Sequence, residues 1–257
     1  MINHLSPDMI EAAAERLLAV RNGAPRLIDL PVSMRPTSWD AAYAIQDALI
    51  ERLGPVVGWK VGAADAAAEP FRSALTGQTV SLSPASVAHA GHNVFGIEAE
   101  TVYRFDKALP PRDKPYRDEE VLEAIGSIHA AIELVDTHFA IWKGASHLSQ
   151  IADQFNHAHL IIGSGREGGA LVDAFNQPVR VVINGETFIE QRGGNAAGPS
   201  IRMLTWLANG GAASLGGLKE GTYVTTGSWT GLTFVAPRTH VEVTFEGIGS
   251  AVVEITE

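Results

Sequence analysis

Hydrophobic and polar positions change period along the chain, and the changes mark the predicted elements. Near the start, Ile10, Ala13, Leu17, Leu18 and Val20 fall mainly on one face at helical spacing. Ser6-Pro7-Asp8 supplies an N-cap, a proline at the first helical position and an early acid, and Asn22-Gly23 supplies a stop. A second helix is predicted from Ser38 through Ala41, Ile45, Ala48 and Leu49 to Gly54-Pro55, with loop-like chain over 27–36 before it.

After Gly54 the period shortens. Val56-Val57-Gly58-Trp59-Lys60-Val61-Gly62 is a β-type run, and 95–105 reads as a longer strand. Asp118-Glu119-Glu120 predicts a helix carrying Val121, Leu122, Ile125 and Ile128, whereas 130–135 is an apolar run too short to classify by period. Asn184-Gly185 between the β-type runs 179–183 and 186–190 predicts a two-residue hairpin. A helix over 199–209 and strands over 223–226, 239–245 and 250–256 complete the pattern. Residues 1–55 therefore read as an N-terminal helical segment and 56–257 as a β-rich domain, the two together forming one domain or two in an α+β class.

Composition narrows the function classes. The chain has 257 residues, 46% hydrophobic and 19% charged, which is an ordinary globular mixture. Nineteen Lys and Arg against 29 Asp and Glu give a net charge of −10, which disfavours nucleic acid and an anionic membrane as partners. Cysteine is absent, so disulfides, thiolate zinc sites and a Cys nucleophile are excluded. With no apolar run of membrane length and no signal-peptide pattern at the start, the expectation is a soluble, cytoplasmic protein.

Two islands carry candidate chemistry. In Gly96-Ile97-Glu98-Ala99-Glu100-Thr101-Val102-Tyr103, strand alternation puts Glu98 and Glu100 on one face, which is either a solvated face or one relieved by a cation. Glu133 lies in the apolar run Ala130-Ala131-Ile132-Glu133-Leu134-Val135, where a carboxylate is costly unless paired or bound to metal. Three carboxylates without a soft ligand suit a hard divalent ion, Mg²⁺ or Mn²⁺. Lys60, bracketed by Gly58 and Gly62, reads either as an edge-strand lysine or as a cation beside such a site. Other signals carry less. Gly163-Ser164-Gly165-Arg166-Glu167-Gly168 lacks the long helix a dinucleotide site needs and reads as a plain loop, His157-Ala158-His159 reads as a structural or surface pair, and no nucleophile elbow is present.

These motifs, with Ala42-Tyr43-Ala44-Ile45-Gln46, Thr226-Gly227-Ser228 and Glu246-Gly247-Ile248-Gly249-Ser250, resemble the 2-keto-4-pentenoate hydratase / 4-oxalocrotonate decarboxylase family of the fumarylacetoacetase superfamily, over nearly the whole chain. The resemblance implies a β-rich mixed roll of the fumarylacetoacetase C-terminal type with an N-terminal helical segment. It implies Mg²⁺ or Mn²⁺ held by Glu98, Glu100 and Glu133, with Lys60 and Asp153 as catalytic candidates. It also implies a homo-oligomer acting late in the meta-cleavage degradation of aromatic compounds. The substrate would be a short unsaturated 2-oxo acid, chelated through its 1-carboxylate and 2-oxo oxygen. The leading expectation is a lyase that hydrates a 2-hydroxy-2,4-dienoate to a 4-hydroxy-2-oxo acid. Decarboxylation of a 4-oxalocrotonate-like acid, C–C hydrolysis of an acylpyruvate and a non-catalytic assembly role are the competitors. Departures from the family pattern fall at Asn156, Pro199 and Thr222, on the substrate side of the site and not among the metal ligands.

Overall fold

The computed structural model describes residues 5–169 and 171–257. The chain opens with α1 (Pro7–Arg21), whose N-cap Ser6 accepts from the Met9 amide, and α2 (Trp39–Leu53), whose N-cap Ser38 accepts from the Ala41 amide. The strands β1 (Val56–Gly62), β2 (Phe71–Thr76), β3 (Val80–Leu82), β4 (Ala85–Ala88) and β5 (Gly96–Phe105) follow. Then come α3 (Asp118–Leu122), β6 (Ile125–Val135), α4 (His147–Ala152), β7 (His157–Glu167) and the hairpin β8 (Pro178–Ile183) and β9 (Glu186–Arg192). The chain ends with α5 (Ser200–Trp206), β10 (Tyr223–Thr225), β11 (Thr233–Phe234), β12 (Thr239–Phe245) and β13 (Gly249–Thr256).

The strands form two sheets. The larger runs β2-β1-β10-β5-β6-β7-β3, with β11 also on β5, and the smaller runs β4-β13-β12-β8-β9. β12 and β13 pack across β6 and β7, and the main core fills the space with Trp59, Tyr103, Ile132, Trp229, Val243 and Phe245. The alternation read from the sequence holds on β5: Ile97, Ala99 and Tyr103 enter this core, while Val102 faces the other way, toward Leu75, Ala131, Leu160 and Ile162. α1 and α2 build a second core with Phe139, Ile151 and Ala152. Buried Gln46 joins it to the sheet, its Nε2 donating to the Ile151 carbonyl at 2.6 Å and its Oε1 accepting from Arg72 Nη1 at 2.9 Å. Among the described residues no helix is long and apolar enough to cross a membrane.

The structure corrects several predicted elements. The helix expected to carry Ile125 and Ile128 ends at Leu122, and both isoleucines belong to β6. β6 is paired on both sides, by β5 and β7, and buried on both faces, so its apolar run has no polar stripe to betray a strand. The helix predicted over 199–209 stops at Trp206 and continues as a π-type turn, Leu207–Gly211. The hydrophobic pattern predicts no strand at β2, β3, β4 or β11, which form through their pairing with neighbouring strands.

The glycine run expected to be a loop instead lies on β7. Its glycines make room for close backbones: a Cβ on Gly163 would collide with the Ser250 backbone of β13 in the other sheet, and one on Gly165 with the Ile128 carbonyl of β6, its neighbour in the same sheet, where the register shifts. Gly249 meets the Ser164 backbone reciprocally. Gly163→Ala should therefore lower unfolding stability by about 1–3 kcal/mol through overpacking, measured by denaturant titration. A wild-type midpoint in that variant would show that the sheets are not in close contact there.

Candidate metal centre

The register of β5 on β6 sets Glu98 directly opposite Glu133, and Glu100 follows two residues on, across from Ala131. One carboxylate oxygen from each of the three lies within 4.8 Å of the others. Among the described residues no other such group of three is spaced to hold an ion. Glu100 and Glu133 are buried, and Glu100 Oε1 and Glu133 Oε2 have no hydrogen-bond partner. Glu100 Oε2 accepts from the Thr225 hydroxyl. Three converging carboxylates, two of them with a buried unpaired oxygen, fit a hard divalent cation.

Lys60 enters from β1, three strands from β6 in the sheet order. Its Nζ reaches past the two intervening strands to lie 2.8 Å from Glu133 Oε1. Nζ also donates to the Phe155 carbonyl at 3.2 Å. An ammonium has three donors, so one is left for the cavity.

The carbonyl that holds Lys60 sits in a strained turn. Gln154, Phe155 and Asn156 have φ of 59°, 46° and 63°, a left-handed run costing about 1–3 kcal/mol per residue. The surrounding structure pins it. Asp153 is buried and held by Arg21 at 2.7 Å and His138 at 3.0 Å. Gln154 Nε2 donates to the Ala74 carbonyl at 2.5 Å, and the Phe155 ring meets Phe71 at 4.5 Å. Asp153, a catalytic candidate from the sequence, thus does not line the cavity; Arg21 and His138 occupy its carboxylate.

The cavity beside the carboxylates has a volume of about 270 Å³ and is lined by Lys60, Glu98, Glu100, Phe71, Phe155, Asn195 and Ser228 among others. A larger hollow of about 500 Å³ lies between Tyr43, Asp47, Arg72 and Trp206. There the Arg72 guanidinium pairs with Asp47, Gln46 and Ser214, with its Nε left unpartnered, whereas the smaller cavity is bordered by the carboxylates of Glu98 and Glu100. His157, read from the sequence as a structural or surface residue, is fully buried and touches Glu133. The departures at Asn156, Pro199 and Thr222 lie off the cavity: Asn156 donates to Gln150, Pro199 precedes α5, and Thr222 accepts from the Lys219 amide.

Charge in the site is lopsided. Burial raises the Glu133 carboxyl, but Lys60 and His157 outweigh it and hold Glu133 below the usual range. Burial, Glu133 and Glu98 push Glu100 well above it, and burial with Glu133 raises Glu98 to about 7. Burial would lower Lys60, yet Glu133, Glu98 and Glu100 raise it, so it is a fixed cation at neutral pH. In the ion-free protein Glu98 keeps a proton that the unfolded chain has released, so its contribution to stability falls as pH rises from 4.5 to about 7. Across that window the thermal midpoint of chelator-treated wild type should change with a more negative slope in pH than that of Glu98→Gln, the difference being the Glu98 contribution. An unchanged slope in the variant would remove Glu98 as its source.

No family model matches the chain. Among solved structures it is similar to 4-oxalocrotonate decarboxylase from Pseudomonas putida G7, complexed with magnesium and adipate, at TM-score 0.84 and 22% identity over 98% of this chain and 99% of that one. The same enzyme complexed with calcium and acetate superposes at 0.83. A 2-hydroxyhepta-2,4-diene-1,7-dioate isomerase from Mycobacterium marinum matches at 0.56, with 15% identity over 79% of this chain and 76% of that one. A fumarylacetoacetate hydrolase family protein from Yersinia pestis CO92 matches at 0.57, with 17% identity over 77% and 92%. The chain therefore has the fumarylacetoacetase-type fold, an α+β arrangement of curled sheets, with three glutamates placed to hold a divalent ion.

Proposed function

We propose that this chain belongs to the 2-keto-4-pentenoate hydratase / 4-oxalocrotonate decarboxylase family and is a Mg²⁺- or Mn²⁺-dependent enzyme acting on short unsaturated 2-oxo acids. The observation that carries the reading is the pair of buried, partnerless oxygens on Glu100 and Glu133 beside a fixed Lys60 cation, in a fold shared with a magnesium-complexed decarboxylase. A bound ion would supply a Lewis acid for the carboxylate and 2-oxo oxygens of such a substrate.

The chain's own residues do the rest. Lys60, held by Glu133 and the Phe155 carbonyl, keeps one N–H for the oxygen on which negative charge develops when the 2-oxo acid enolises. Because the carboxylates keep it protonated, it acts as a fixed positive charge and donor, not as a base. Phe71 and Phe155 wall the cavity and give the carbon chain of the substrate an apolar surface to lie against. Asp153 acts by holding the turn that presents the Phe155 carbonyl to Lys60.

Hydration of a 2-hydroxy-2,4-dienoate is the favoured reaction. Among the described lining residues Lys60 is the one cationic side chain, and Val61, Ala63, Phe71, Phe155, Ala196 and Ala197 suit an uncharged tail. Decarboxylation of a dicarboxylic 2-oxo acid is the second reading, favoured by the likeness to 4-oxalocrotonate decarboxylase.

A panel of mono- and dicarboxylic substrates with Mg²⁺ or Mn²⁺, scored for water addition, CO₂ and pyruvate, separates these reactions. The expected result is water addition to the monocarboxylate, abolished by chelation. Turnover that survives exhaustive chelation would end the metal-dependent reading. Lys60→Met should lower kcat by about 10²–10³-fold, the usual loss for one preorganised donor, while divalent-ion binding persists. Near-normal kcat would remove Lys60 from the chemistry.

A further inference from the structure

We propose that His157 is a positioning residue for the carboxylate centre. Its Nδ1 proton fixes which oxygen of Glu133 faces Lys60 and which is left for an ion, and Thr79 fixes the tautomer that does so. This rests on the reading of Glu98, Glu100 and Glu133 as an ion site.

His157 opens β7, and its side chain is wholly buried. Nδ1 lies 3.1 Å from Glu133 Oε1, and Nε2 lies 3.0 Å from the hydroxyl of Thr79, on the turn between β2 and β3. As a carboxylate paired with Lys60 and serving as an ion ligand, Glu133 can only accept, so Nδ1 is the donor. With Nδ1 donating to Glu133, the neutral ring carries its single N–H there. Nε2 is then an acceptor, and Thr79 must donate to it. The alternative acceptor for that hydroxyl, the Thr76 carbonyl, is farther away at 3.4 Å.

The consequence is an asymmetric carboxylate. Oε1 of Glu133 receives both Lys60 and His157, whereas Oε2 receives nothing and is buried. Two donors on one oxygen break the equivalence of the pair and stop the group from rotating. Oε2 is thereby oriented before any ion arrives, so less ordering remains to be done on binding. A neutral donor suits this task better than a second cation, because it steers Glu133 without cancelling the negative charge that attracts a divalent ion.

Mn²⁺ affinity, read by electron paramagnetic resonance alongside the thermal midpoint, tests the assignment in wild type, H157L, H157N, T79V and H157N/T79V. Asparagine can place an N–H near the position of Nδ1 but has no counterpart of Nε2. The expected result is a loss of about 10–100-fold in H157L, the usual cost of removing a partner that orients a ligand. H157N should stay within about threefold of wild type. T79V should weaken binding in the wild-type background and have no effect in the H157N background, a coupling that a merely structural role would not produce.

If H157L does not fold, the T79V and H157N cycle decides alone. An H157L protein that folds and binds Mn²⁺ as tightly as wild type would overturn the proposal, as would a T79V effect that persists undiminished in the H157N background. Wild-type protein that takes up no Mn²⁺ would remove the ion reading and this one together. Wild-type uptake that every variant leaves unchanged would remove only His157.

Discussion

Placing Glu98 directly across from Glu133 in a sheet, with Glu100 one step further along the same face, puts three like charges inside 4.8 Å. At an effective dielectric near 20, each ionised pair at that distance repels by about 3 kcal/mol. Much of the surrounding structure answers that repulsion. Lys60 neutralises Glu133 from one side, His157 donates to it from another, and Thr225 donates to Glu100. What these groups leave unsatisfied is two buried oxygens and two carboxyls that hold their protons more tightly than usual. A divalent cation is the one addition that would satisfy both at once.

The N-terminal helices take part in this arrangement at a distance. Lys60 depends on the Phe155 carbonyl, and that carbonyl exists in a left-handed turn of three residues, a conformation unfavourable for Gln154 and Phe155. Asp153 precedes the turn and is gripped by Arg21 from the last turn of α1 and by His138. Gln46 of α2 ties the same region to β2 and α4. The helices therefore do more than cover the sheet: their polar contacts hold the turn in the geometry that fixes the lysine.

Conformation at the centre and closeness between the sheets come from separate devices. The strained turn aims groups at the cavity, whereas Gly163, Gly165 and Gly249 carry no such role and simply vacate the space where β7 meets its neighbours. A glycine pattern that looks like a nucleotide loop is here a consequence of close backbones, the other sheet at Gly163 and the neighbouring strand at Gly165. The same spacing of residues can arise from either cause, and only what lies opposite each glycine tells them apart.

Local physics decided much of this protein from sequence alone. The caps at Ser6 and Ser38, the Asn184-Gly185 hairpin and the shared face of Glu98 and Glu100 depend on residues within a few positions of each other. So does the oddity of Glu133, since a carboxylate in an apolar run needs an explanation whatever the fold. The resemblance to a known family then supplied the grouping of these residues with Lys60, which periodicity could not. Tertiary structure decided the rest. Which strands are neighbours, and in what register, determines that Glu98 meets Glu133 and that Lys60 of β1 reaches Glu133 of β6. A period of two says which face a side chain takes but not what stands across from it. β6 reads ambiguously because pairing on both edges and burial on both faces erase the alternation. His157 is invisible because its meaning lies in two long-range partners, Glu133 and Thr79, far from it in the chain.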